Sequence, residues 1–252
     1  MPFERIQLSE EKLVAAIGGQ WPPDQVDAAV ELLNGGGGRF PSGVRKLPSD
    51  LVSAVQRERL IAAMLKAASD LGYREANVQD VIDRAGVSRP TFYEHFANKE
   101  DCFLAAFDTT AVRLRERMTA AAQKGGDNWR DRLRFGLETL LHFASTEPEA
   151  ARTLIVEARA ASDEAIRRRD ELLDHFAECI EAQAREFFPD APGYSAITAA
   201  GIVGGAEALL YSRLHRNEFE DLDSLLPSLM YFVVLPYEGH DAASEELAVP
   251  VR

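Results

Sequence analysis

The chain has 252 residues, 46% hydrophobic and 8% aromatic, which is enough apolar matter for a packed core and excludes wholesale disorder. No apolar run approaches the roughly 18 residues that suggest a membrane span. The start, Met1-Pro2-Phe3-Glu4-Arg5, lacks the basic-then-apolar order of a secretion signal, and Cys102 and Cys179 are too far apart to suggest a metal pattern. They read as reduced thiols of a cytoplasmic protein. The net charge of -13 argues, as a total, against a polyanionic partner, but the charge is uneven along the chain. Residues 45–99 hold nine Lys/Arg against seven Asp/Glu, whereas residues 100–252 hold 16 against 28. A mildly basic segment joined to an acidic body fits a nucleic-acid-binding head.

In chain order, residues 1–48 form an N-terminal extension. Residues 9–17 and 23–33 each align apolar positions as short helices would. The four glycines at 35–38 cannot continue a helix cheaply and read as a tether. The extension is either a mobile arm with loosely docked helices or a small accessory element. Arg45 and Lys46 are either a minor-groove arm or a solvated linker.

Helical periodicity becomes strong from Ser49. Leu60, Ile61, Met64, Leu65, Ala68 and Leu71 share a face, and Gly72 ends the helix. Asn77 caps a second helix with Val78, Val81, Ile82 and Ala85 on its apolar side. Gly86-Val87-Ser88 is a tight turn in which Gly86 takes a positive φ. Ser88 caps a third helix through the N–H of Thr91, and Pro90 falls in its first turn, where a missing N–H loses no helical bond. Phe92 and Phe96 face inward, leaving Arg89, Thr91, Tyr93, Glu94 and His95 outside. Asn98-Lys99-Glu100-Asp101 opens a long fourth helix. Further helices are expected at about 127–146, 148–160, 163–188, 194–217 and 224–237, with no sheet anywhere. An acidic, frayed tail closes the chain from 241 to 252.

Two short helices joined by a three-residue turn, with Arg, Thr and Tyr near the start of the second, suit major-groove reading. Arg can fork onto guanine O6 and N7, and Thr can meet a thymine methyl. Tyr93 and His95 are better placed for phosphate. Lys99 adds charge at a helix start, where phosphate is also favoured.

The run Gly86-Val87-Ser88-Arg89-Pro90-Thr91-Phe92-Tyr93-Glu94-His95-Phe96, followed by Asn98-Lys99-Glu100-Asp101, closely resembles the DNA-binding signature of the TetR (tetracycline-repressor) family. The likeness extends upstream through Arg57 to Tyr73. It implies an all-α fold: a three-helix helix-turn-helix head over 49–99, then a helical-bundle body over 100–240 for ligand binding and dimerisation. It implies base contacts from Arg89, Pro90 and Thr91. Phosphate contacts are implied from Tyr93, His95, Lys99 and the Asn77–Val78 helix start, with Ser88 at the edge of the same face. Asn77 stands where the family usually has Thr, and Ile82 where it usually has Ala.

The resemblance also implies a homodimer formed by the last two long helices. Gly201, Gly204, Gly205, Ala208 and Leu209 on the first, with Leu226, Leu229, Met230 and Val233 on the second, are the expected interface. An effector pocket is expected among the middle helices, with Phe103, Phe107, Trp129, Leu137, Leu141, His142, Leu154, Phe176 and Ile180 as candidate lining. The expected partners are a palindromic duplex-DNA operator and a small-molecule effector that releases it, as for a bacterial repressor. Nothing suggests catalysis, a cofactor or a membrane. His175 and Glu178, one turn apart, read as a solvated face, so no metal is expected. The competing reading is a helical ligand-binding or interaction protein with an incidental helix-turn-helix.

Overall fold

Every regular element in the described residues is helical, and most begin and end where local chemistry directs. The structure, a computed structural model, describes residues 48–189 and 196–250. The expectations placed on residues 1–47 lie outside the described residues. The chain divides into two units, Met1–Ala106 and Phe107–Arg252.

In the first unit, α1 (Ser49–Leu71) buries Leu51, Val55, Leu60, Ile61, Met64 and Ala68 at helical spacing. Gly72, at φ 79°, stops it and donates its N–H to the Ala68 carbonyl at 2.9 Å. Next, α2 (Val78–Ala85) carries a full capping box. The Asn77 side-chain oxygen accepts from the N–H groups of Gln79 (2.8 Å) and Asp80 (3.2 Å), and Asp80 accepts from the Asn77 N–H (2.9 Å). This satisfies donors that a helix start otherwise leaves orphaned. Arg84, buried, spans from α2 to Asp70 on α1 at 3.3 Å. Gly86 turns the chain at φ 65°, a left-handed conformation that costs an L-residue about 1–2 kcal/mol.

The third helix, α3 (Arg89–His95), is capped by Ser88, whose Oγ accepts from the Thr91 N–H at 3.2 Å. Phe92 and Phe96 are buried; each contributes about 2–3 kcal/mol through the apolar area it removes from water. α4 (Lys99–Gln123) opens with a second reciprocal cap: Asn98 accepts from the Asp101 N–H (2.9 Å) and Asp101 from the Ala97 N–H (3.0 Å). This helix continues past Ala106 into the second unit.

The second unit holds α5 (Trp129–Thr146), α6 (Pro148–Arg152), a π-helical turn (Thr153–Glu157), α7 (Ala158–Ala161), α8 (Asp163–Phe187), α9 (Ala196–His215), a 3₁₀ turn (Leu222–Leu225) and α10 (Leu226–Leu247). α8 packs on α9 through Phe176, Ala177, Ile180, Ala199 and Val203. α10 packs on α5, with Leu226, Leu229, Met230, Val233 and Val234 buried.

Charged groups tie this unit across long sequence distances. Arg152, buried at the start of the π turn, donates to Glu157 (2.9 Å), the Leu214 carbonyl (2.7 Å) and Asn217 (2.9 Å). Buried Glu207 on α9 accepts from Arg159 (2.6 Å) and Arg169 (2.9 Å). Arg130 forks onto Glu238 (2.7 Å) and reaches Glu245 (2.8 Å), and Arg134 pairs with buried Glu246.

These last pairs correct the expectation of a frayed tail. α10 bends at Gly239 (φ 85°) and then stays helical to Leu247, held on α5 by its own acids.

Candidate nucleic-acid interface

The two short helices of the first unit position the face. α2 packs on α1, and α3 touches both. Phe92 and Phe96, 5.9 Å apart centre to centre, anchor α3 from beneath. With one side of a seven-residue helix buried, the other side must project, and it carries Arg89, Pro90, Tyr93 and Glu94, all exposed. Tyr93 is 49% exposed, a large value for an aromatic ring. Asn77 is exposed and Val78 half-buried at the α2 start.

Thr91 is half-buried, its hydroxyl 2.8 Å from that of Ser88. Its methyl and hydroxyl are therefore fixed by the cap. Arg89 donates to the side-chain carbonyl of Gln79 at 3.3 Å, and Gln79 donates onward to Asp83 at 2.8 Å. Gln79, exposed in the first turn of α2, thus belongs to the face, although sequence reasoning did not name it. Its signal was its place two residues after a cap, on the helix start already expected to meet phosphate.

Two predicted phosphate ligands are placed differently from what the sequence suggested. The His95 ring is half-buried and its Nε2 is enclosed without a hydrogen-bond partner. Burial holds its pKa below the ordinary histidine value, Arg57 adds to that, and Glu94 opposes it. At neutral pH the ring is therefore neutral. Lys99 turns inward. Its Nζ donates to the Tyr73 and Ala76 carbonyls at 2.9 and 2.8 Å and lies 4.2 Å from the Tyr73 ring centre. Burial lowers its pKa, against the field of Glu75.

In the second unit a pocket of about 350 Å³ is lined by Phe135, Leu141 and Leu226, with Lys124, Glu138, His142 and Asp223 at its polar side. That volume lies within the range of small-molecule sites. Of the nine candidate lining residues, Leu141 and His142 border it. Phe103 lies in the first unit, edge-on to Tyr73. Trp129 packs between Phe188 and Tyr237. Phe107 and Leu154 are buried and Leu137 half-buried away from this lining. Phe176 and Ile180 fill the α8–α9 seam.

Among the expected interface residues, Gly201, Gly204, Ala208 and Leu209 are exposed on α9. With Ile197, 81% exposed, they form an apolar stripe at spacings of three and four. Gly205 serves a different contact: a Cβ there would come within 2.8 Å of Phe232 on α10. Leu226, Leu229, Met230 and Val233 are buried inside the unit itself, so they are withdrawn from any intermolecular surface. The exposed large apolar residues of α10 are Phe232 and, at its end, Leu247.

A short helix that projects Arg89 and Tyr93 from an apolar anchor, the second of a helix-turn-helix, has the form of a DNA-reading element. The comparisons agree. Residues 60–106 match the family model for bacterial regulatory proteins of the tetR family. The chain is 29% identical over 142 residues to the HTH-type transcriptional activator FasR of Mycolicibacterium smegmatis, a match covering 50% of this chain and 64% of that protein. The chain thus spans less than two thirds of the length of that relative.

Its fold resembles that of the fatty acid degradation regulator FadR from Bacillus halodurans (TM-score 0.65, 17% identity, 73% of this chain and 97% of that one). It also resembles FadR from Bacillus subtilis, solved in complex with stearoyl-CoA (TM-score 0.63, 19% identity, 70% and 97%). No helix among the described residues is long and apolar enough to cross a membrane.

Proposed function

We propose that this protein is a transcription regulator of the cytoplasm that binds a palindromic operator as a homodimer and loses it when its body takes up a small molecule. The observation that carries the reading is the projecting α3 surface, Arg89, Pro90 and Tyr93, on a segment that matches the TetR family. Arg89 has the fork geometry for a guanine edge, and Tyr93 the reach and hydroxyl for a phosphate. The apolar α9 stripe with Phe232 supports the dimer, because an exposed Ile197 and Leu209 beside glycines suits close approach of a second helix. Two-fold symmetry would then set two α3 helices about one DNA turn apart.

The pocket beside Lys124 and His142 supports the sensing role. It offers an apolar floor with Lys124, His142, Glu138 and Asp223 at the rim, suited to an amphiphile with a polar head. Because one structural neighbour was solved with stearoyl-CoA, acyl thioesters head the panel of effectors to try. FasR is named an activator, so a promoter fusion is the proper reading of the regulatory sign.

The test is selection of duplexes from a randomised pool, followed by mobility shift. The wild-type protein is expected to enrich a palindrome. Arg89→Ala should weaken binding about 10- to 100-fold, the weight of one bidentate base contact, and relax one position of the site. Tyr93→Ala should weaken all duplexes alike. Failure to enrich any sequence, or indifference to both substitutions, would overturn the reading.

A further inference from the structure

A lysine at the start of a long helix, just after a DNA-reading helix, invites the reading of a phosphate ligand. The geometry at Lys99 opposes this. Its Nζ has two well-formed hydrogen bonds, to the carbonyls of Tyr73 and Ala76, and stands over the Tyr73 ring. Those carbonyls flank the turn between α1 and α2, and Ala76 immediately precedes the Asn77 cap. Both residues are buried, as is Phe103, whose ring meets Tyr73 edge-on at 4.7 Å. Two of the ammonium's three N–H donors are thereby committed to carbonyls inside the turn. The turn has one other backbone bond within it, Ala76 N–H to Gly72 at 3.0 Å.

We infer that Lys99 is a positioning residue: it ties the start of α4 to the turn that presents the capped N-terminus of α2, and does not itself bind phosphate. The Lys99 bonds fix where Ala76 ends and therefore where the capped start of α2 lies. One residue so sets two elements of the face in register, α2 directly and the α3–α4 junction through the chain from Phe96 to Lys99. The tie is electrostatically sound because a carbonyl pair and an aromatic face replace the water that burial removes.

The inference rests on the DNA-binding reading and can be tested apart from it. The probe is a duplex selected by the wild-type protein; if selection yields none, the DNA-binding reading falls before this one is reached. Affinity is then measured across a salt series for wild type, Lys99→Met and Lys99→Arg. A phosphate-bound cation displaces condensed salt, so its removal would flatten the slope of log affinity against log salt by about 0.9.

A positioning residue predicts a different result. Lys99→Met should lose affinity on the order of ten-fold, the low end of what one hydrogen bond from a charged group contributes, with the slope unchanged. Amide exchange at Asn77–Asp80 should quicken in the free protein. Lys99→Arg, which keeps the charge but not the fit, should also lose affinity. A flattened slope, or full affinity in Lys99→Met, would overturn the inference.

Should Lys99→Met not fold, the unmutated protein supplies the answer. The Lys99 Nζ nuclear resonance should stay in place as the duplex is added. A shift of that resonance at saturation would place the ammonium on the DNA and reject the proposal.

Discussion

The two units are held together by different kinds of chemistry. In the first, each helix boundary is written into its nearest neighbours: Gly72 stops α1, Asn77 and Asp80 cap α2, Gly86 turns the chain, Ser88 caps α3, and Asn98 and Asp101 open α4. In the second, many of the ties join residues tens of positions apart. Arg152 reaches Leu214 and Asn217, Arg159 and Arg169 reach Glu207, and Arg130 and Arg134 reach Glu238 to Glu246. A DNA-reading surface needs one fixed shape, and local signals specify one. A sensing body needs elements that can be re-seated, and a network of separate ion pairs allows discrete alternatives.

The largest expected effect breaks the local side of this contrast. Phe92→Ala empties the anchor beneath α3 and should destabilise the first unit by about 3–5 kcal/mol. Calorimetry should show one transition shifting, with loss of duplex binding at temperatures where the second unit stays folded. Two transitions moving together would show that the units unfold as one.

Next comes the distant side. Arg152→Met takes the Arg152 partner from buried Glu157, and should cost about 3 kcal/mol in the second unit while duplex affinity of the folded protein is retained. Double replacement with Glu157→Gln should recover part of that loss; no recovery would place the weight on the Leu214 and Asn217 bonds.

The smallest effect is a dependence on pH. His95 has a pKa held below its ordinary value, so the unfolded chain takes up the proton first. The stability this ring allows is complete above about pH 6.5 and declines as pH falls from there towards the depressed folded value. Melting temperatures compared at about pH 7.5 and about pH 5.5 should fall less for His95→Gln than for wild type. An equal fall in both would remove His95 as the cause.

The same contrast explains what could be read from the sequence. The caps at Asn77 and Ser88, the turn at Gly86 and the inward Phe92 and Phe96 follow from residues within four positions of one another, and the face they make was accessible without coordinates. The inward bonds of Lys99 and the place of Gln79 on the face were not legible because their partners, Tyr73 and Arg89, are set by how the helices cross, which no local pattern states. In the body, periodicity located the helices but not their partners. Leu226 and Leu229 looked like interface because α10 is apolar on several sides; the residues covering them belong to α5 and its neighbours. Of the candidate lining, Leu141 and His142 border the pocket, and the aromatics lie elsewhere because an aromatic at helical spacing serves a seam as readily as a cavity.

The bend at Gly239 carries a consequence for handling the protein. It folds the acidic end of the chain back over α5, so that Glu245 and Glu246 act as a tethered counterion for Arg130 and Arg134. Deleting residues 240–250 would take Glu246 from Arg134 and leave Arg130 with Glu238 alone. A shortened protein should then melt earlier through its second unit, a loss that a duplex-binding assay at room temperature would miss.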